Sequence, residues 1–168
     1  MQATRLGNFA ATRILLKSGS NPNCKIFPSL QTPLMLACFN GSTDIVNILE
    51  KHGADWSLKD ICGQNALHYA VSNSQLETLK MAMNGGCDVN SRDNYNWTPL
   101  MRAAILGASD GVLSELLEHG ANIELRDEYD RTCIEMARLF NNNNFILFIT
   151  KRDELQIEQD FLQDKHQT

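Results

Sequence analysis

The chain is 168 residues long, 43% hydrophobic and 21% charged, which is the balance of a globular protein and not of a disordered one. Its net charge of −5 argues against the basic face that direct nucleic-acid binding needs. No stretch reads as a signal peptide or a membrane span. The five cysteines, Cys24, Cys38, Cys62, Cys87 and Cys133, are odd in number and contain no C-x-x-C pair, so the reading is free thiols in a reducing compartment, cytoplasmic or nuclear.

In chain order, residues 1–6 read as the back half of a helix whose start lies before residue 1, which suggests a fragment or short isoform. Phe9 to Lys17 predict a helix with Ala10, Ile14, Leu15 and Leu16 as its apolar set. Gly19 to Gln31, with Pro22 and Pro28, is a long turn. Thr32-Pro33 then opens a helix over about 33–39: threonine caps the first turn, and proline at the first helical position loses no bond. A second helix follows at about 43–51, packed by Ile45, Val46, Ile48 and Leu49, with His52 in its last turn suited to the helix dipole. Asn65 starts the next pair, whose corner Ser72-Asn73-Ser74 lacks a glycine and whose second helix carries Met81 and Met83 in place of leucines. Thr98-Pro99-Leu100 starts a fourth pair, with an extra residue between Ala108 and Gly111 and with His119 matching His52. Thr132 starts the last pair. There Phe145, Ile146 and Ile149 are core, and Leu147 and Phe148 make the helix apolar nearly all round, so something should cover it. Residues 153–168 read as a polar tail that frays.

Two landmarks keep one period. The starts at 32, 65, 98 and 132 are 33, 33 and 34 apart, and Gly19, Gly53, Gly86 and Gly120 are 34, 33 and 34 apart. Each glycine follows a helical apolar run and reads as a left-handed stop. A period of about 33 with Thr-Pro-Leu at the helix start resembles the ankyrin repeat. The resemblance implies an all-α solenoid of helix-turn-helix units joined by β-turn fingers. It covers a single array over 1–152, with a truncated unit at 1–29 and units starting near 30, 63, 96 and 130. Met35-Leu36-Ala37-Cys38, His52-Gly53-Ala54-Asp55-Trp56, Gly86-Cys87, Trp97-Thr98-Pro99-Leu100-Met101-Arg102 and Glu135-Met136-Ala137-Arg138 are further similar to the array of the fibronectin type III and ankyrin repeat family, whose members are intracellular. In the ankyrin motif a histidine bonds the capping hydroxyl; here His68 faces Asn65, so the sequence does not promise that bond. Cys38 and Cys87 stand where the repeat has alanine and read as core.

No phosphate loop, nucleophile elbow, metal-binding helix or cysteine pair is present. Asp127, Glu128 and Asp130 read as solvated finger charge. The chain is therefore read as a non-enzyme without cofactor or metal. What the family register does offer is a groove, built from finger tips and the ends of the first helices of each pair. On it Phe39, Ile61, Tyr95 and Trp97, then Ile105, Leu106 and Tyr129, put apolar side chains where water is expected. Aromatic anchors with polar neighbours are the composition of a binding hot spot. Each residue alone, Trp97 above all, also fits a side chain half buried by the neighbouring finger. The expected function is an adaptor that holds one or more proteins in this groove, as a monomer without direct contact to nucleic acid or membrane. The alternative is a regulatory array acting in cis within a longer chain. The charge asymmetry, +4 over residues 1–43 and −9 over the rest, needs no partner, since solvated ends of a stack account for it.

Overall fold

The computed structural model describes residues 1–152 and 154; the expected tail over 153–168 lies outside the described residues apart from Glu154. Among them are ten helices and one isolated antiparallel bridge, Ile26 to Gln31. The inner row is α1 (Gln2–Arg5), α3 (Pro33–Phe39), α5 (Ala66–Ser72), α7 (Pro99–Leu106) and α9 (Cys133–Leu139). The outer row is α2 (Phe9–Lys17), α4 (Thr43–Lys51), α6 (Leu76–Asn84), α8 (Asp110–Glu118) and α10 over 143–152. Inner helices pack on inner helices, α1 on α3, α3 on α5, α5 on α7 and α7 on α9, and outer on outer. The result is an all-α solenoid.

The inner helices are too short to persist alone, and their caps explain why they begin where they do. The hydroxyls of Thr32, Thr98 and Thr132 accept from the amides of Met35, Met101 and Glu135. Asn65 does the same for His68 at 3.3 Å. The bond that the sequence did not promise is also made: His68 Nδ1 lies 2.7 Å from Asn65 Oδ1, and the Asn65 amide is oriented by donating to Ser91 Oγ. A carboxamide can replace threonine here because its oxygen reaches both the N3 amide and the ring.

The core runs unbroken through the stack. Leu34, Ile45, Leu67, Leu79, Leu100, Leu113, Leu116 and Phe145 are buried, as are Cys38 and Cys87. The corner between α5 and α6 manages without glycine because Ser74 takes the left-handed conformation, φ 53°, that Gly41 and Gly107 take elsewhere. The extra residue of the fourth unit sits in its corner: one residue, Ala108, separates Gly107 from the N-cap Ser109.

Two expectations are corrected. In α2 the buried residues are Thr12 and Leu16; Ile14 is 65% exposed and Leu15 46%. The first unit packs on α3 and α4, and the side of α2 that faces them takes one i, i+4 pair. In α10, Phe145 and Ile149 are buried and Phe148 packs against the core, so the apolar face not covered among the described residues is reduced to Leu147.

Candidate protein-binding groove

The fingers are built on an aspartate that recurs as Asp60, Asp93 and Asp127. In each finger the amide of this residue donates to the carbonyl four positions on, Gln64, Trp97 or Arg131. The carboxylate then turns back into its own loop. Asp60 Oδ1 accepts from the amides of Cys62 and Gln64 at 2.9 and 2.8 Å. Asp93 Oδ1 accepts from Tyr95 and Trp97 at 2.9 and 3.0 Å. Asp127 Oδ1 accepts from Tyr129 and Arg131, both at 2.9 Å. The same carboxylate therefore fixes the backbone of the residues whose side chains form the tips.

Asp127 was expected to be solvated charge, and it is not. It is 7% exposed. Its Oδ2 accepts from Trp97 Nε1 at 3.2 Å and from Arg131 Nε and Nη2 at 2.9 and 2.6 Å. Burial works against its charge, and the Arg131 guanidinium with the loop amides outweighs burial and holds the carboxyl below the usual range. Asp60 Oδ2 accepts from the Tyr69 hydroxyl at 2.8 Å, and Gln31 donates to the same hydroxyl. Asp93 differs: its Oδ2 is buried and has no hydrogen-bond partner among the described residues.

The groove residues fall into two groups. Tyr95 is 51% exposed and Trp97 half buried, their rings 5.6 Å apart. Ile105 is half buried and Leu106 exposed at the end of α7. Tyr129, on the next finger, is 68% exposed and lies under the Arg131 guanidinium, 4.7 Å from its ring centre. Toward the N-terminus, Phe39 stands edge-on to Tyr69 with centroids 6.5 Å apart, and Ile61 is exposed. Trp97 is the member that behaves as a half-buried finger residue, since its indole is tied to the next finger through Asp127.

Sequence reasoning missed Tyr69, which joins two units by bonding Asp60 and Gln31, and it missed the recess beside it. That recess, about 270 Å³, is lined by Arg5, Gln31, Leu36, Phe39, Asn40 and Tyr69. The signal was available in the register: Leu36, Tyr69 and Arg102 follow their capping residues by four and mark the groove floor. Among the described residues no group of three or more His, Cys, Asp or Glu is placed to hold a metal ion. His68, completely buried, is held near pH 4 by burial. No helix among the described residues is long and apolar enough to cross a membrane.

Short inner and outer helices stacked in two rows, with fingers locked by a recurring aspartate, define a helix-turn-helix repeat protein. The family model for ankyrin repeats (3 copies) matches residues 1–93, 34–127 and 73–159, and the chain belongs to the ankyrin repeat family. It is 32% identical over 151 residues to the ankyrin repeat protein FPV031 of fowlpox virus (strain NVSL), an alignment covering 86% of this chain and 44% of that protein. It is 27% identical over 135 residues to the ankyrin repeat protein YahD of Escherichia coli (strain K12), covering 77% of this chain and 67% of that protein. A third relative is an enzyme, the glycerophosphocholine phosphodiesterase gde1 of Schizosaccharomyces pombe, 33% identical over 129 residues, 76% of this chain and 11% of the enzyme. The chain thus spans less than half of the fowlpox protein and about a tenth of the phosphodiesterase. These matches carry the ankyrin assignment; the narrower likeness to fibronectin type III and ankyrin repeat proteins stays a proposal.

Proposed function

We propose that the chain is a non-catalytic protein-interaction array, residues 1–152, that holds a partner protein in its concave groove, in a reducing compartment. The observation that carries this reading is the exposed strip of Tyr95, Leu106 and Tyr129 on backbone held rigid by Asp93 and Asp127. Large exposed side chains on a fixed support lose little entropy on binding and make good anchors. Its family supports the general role, since ankyrin arrays are interaction modules. The short share of its relatives that the chain spans, 44% of the fowlpox protein, favours a second reading in which the same groove occludes a segment of a longer chain in cis.

The test is a pull-down with Tyr95→Ala combined with Tyr129→Ala, after circular dichroism shows equal folding. Truncating central aromatic anchors costs about 2 kcal/mol or more, so partners should be lost. Lys80→Ala, on the convex α6 where Lys80 meets Glu115 at 3.5 Å, should keep them. Retention of every partner by the tyrosine variant, with losses in the Lys80 variant, would move the binding face to the convex side.

A further inference from the structure

We propose that the occupant of the groove is an acidic linear peptide carrying a large apolar anchor, seated between Arg5 and Arg102; this rests on the groove reading above. Through the middle of the stack charge differs between the two rows of helices. At the ends it does not, since outer α2 carries Arg13 and Lys17, outer α10 carries Lys151 and Arg152, and inner α9 carries Glu135 with Arg138. The outer helices α4, α6 and α8 carry Asp44, Glu50, Glu77, Asp110, Glu115 and Glu118 against Lys51 and Lys80 alone. The inner helices α1, α3, α5 and α7 carry no carboxylate, and their two charged groups are Arg5 and Arg102. A segment lying along α1 to α7 on the inner-helix side therefore meets Arg5 and Arg102 as its charged groups, and Glu128, Asp130 and Glu135 lie beyond them.

Neither arginine has an ion-pair partner among the described residues. Arg102 donates from Nε to the neutral Ser72 Oγ at 2.6 Å. Arg131 shows the contrast: its Nε and Nη2 both donate to Asp127 Oδ2, so it is already ion-paired. Asp93 Oδ2 lacks a donor but is closed to solvent, so it cannot receive one from a partner without rearrangement. The exposed carboxylate on the groove register, Glu128, sits on the finger beyond Arg102 and marks the C-terminal limit of the cationic stretch.

Arg5 is also on the lining of the recess between Phe39 and Tyr69. Leu36, Phe39 and the Tyr69 ring give the recess an apolar part, Gln31 and Asn40 line it beside Arg5, and the Tyr69 hydroxyl is already engaged by Gln31 and Asp60. The charged group on the lining is the Arg5 guanidinium, which a carboxylate meets bidentately. An apolar side chain in the recess with an acidic neighbour fits both features. A basic segment would face two unpaired arginines and be rejected.

The experiment is a display selection of short random peptides on the immobilised full chain, followed by anisotropy of the enriched peptides in labelled form. Peptides with Asp or Glu flanking Phe, Leu, Tyr or Trp should be enriched, and their affinity should fall as salt rises. Arg5→Gln combined with Arg102→Gln should weaken them at least about tenfold, because glutamine keeps a donor for Ser72 and loses the charge. Arg13→Gln with Lys17→Gln removes the same charge from α2 and should change affinity less than about twofold. If the double arginine variant loses thermal stability, Arg5→Gln alone carries the test, being at a solvent-exposed position. Enrichment without acidic bias, or binding indifferent to both arginines, overturns the proposal. So does failure to enrich anything, or equal binding of a single-stranded oligonucleotide. If such peptides still need Tyr95 and Tyr129, the groove reading survives without the charge. If they need neither pair, both readings fail.

Discussion

His68 is buried completely, with Nδ1 against Asn65 Oδ1 and Nε2 3.4 Å from the Trp97 carbonyl. Burial lowers its pKa to about 4 from the usual 6.5; the Trp97 carbonyl and Asp93 pull it up, and Arg102 and Lys59 add to the lowering. The folded state then binds fewer protons than the unfolded state between these values. The associated stability is complete above about pH 6.5 and is lost as pH falls toward 4, with a slope of up to about 1.4 kcal/mol per pH unit. Urea midpoints across this range should fall, and His68→Gln, less stable at neutral pH, should flatten the fall. An unchanged slope in the variant would assign the acid sensitivity elsewhere. The thiols give a second residue-scale test. Burial raises Cys87 to about 11 and Cys133 to about 12, and raises Cys38 further, whereas Cys24 and Cys62 are half exposed. Since the thiolate is the nucleophile, iodoacetamide on native protein should label Cys24 and Cys62 and spare the other three; early modification of Cys38 would mean an open core. Cys38 and Cys87 were legible as core in the sequence because they occupy alanine positions of the repeat; Cys133 was not, because it follows the capping Thr132 where Pro33 and Pro99 stand in other units. The role of Asp127 was not, because a carboxylate between Arg126 and Glu128 looks the same in sequence whether it faces water or turns into its own loop.

The finger is the element in which backbone conformation decides the outcome. Each finger passes through one left-handed residue, Leu30, Gly63, Asn96 and Asp130, with φ of 58°, 78°, 58° and 60°. Side chains other than glycine cost about 1–2 kcal/mol there, asparagine and aspartate least. At Gly63 a further constraint applies, because an added Cβ would lie 2.8 Å from the Asn94 amide nitrogen of the adjacent finger. That amide donates to Cys62 and joins the two fingers. Gly63→Ala should therefore destabilise by about 2 kcal/mol or more, strain and lost pairing acting together. Asn96→Gly removes strain at an exposed side chain and should be neutral or stabilising by up to about 1 kcal/mol. Chemical denaturation of both variants measures this, and equal costs would mean that left-handed strain is not what Gly63 relieves. Helix starts were readable from Thr-Pro because the cap is local chemistry. The buried face of α2 was not: Ile14 and Leu16 are similarly apolar, and which one packs depends on the neighbouring unit.

Among the described residues the main helix contacts run between neighbouring pairs of the stack, and polar stitches supplement the apolar contacts. Asn23 donates to the Gly53 carbonyl and accepts from the Asp55 amide; Asn90 repeats this with Gly120 and Asn122. Asn73 reaches back to the Phe39 carbonyl and Asn142 to Ala104. In such a one-dimensional assembly stability is a sum of units and interfaces, and the ends open first. The first unit contributes least: in α1 and α2 the buried residues are Thr4, Thr12 and Leu16, whereas α3 buries six of its seven residues. Amide exchange should accordingly be fastest in α1 and α2, slower in α9, and slowest over Leu34–Ala70 and Leu100–Leu117. Leu100→Ala, which empties the buried centre of α7 at about 2–5 kcal/mol, should accelerate exchange in both α5 and α9 through the interfaces they share with α7, and leave α1 and α2 nearly unchanged. Exchange in α1 as slow as in α7, or acceleration of α1 by the Leu100 variant equal to that of α5, would mean that the array opens as a single cooperative block.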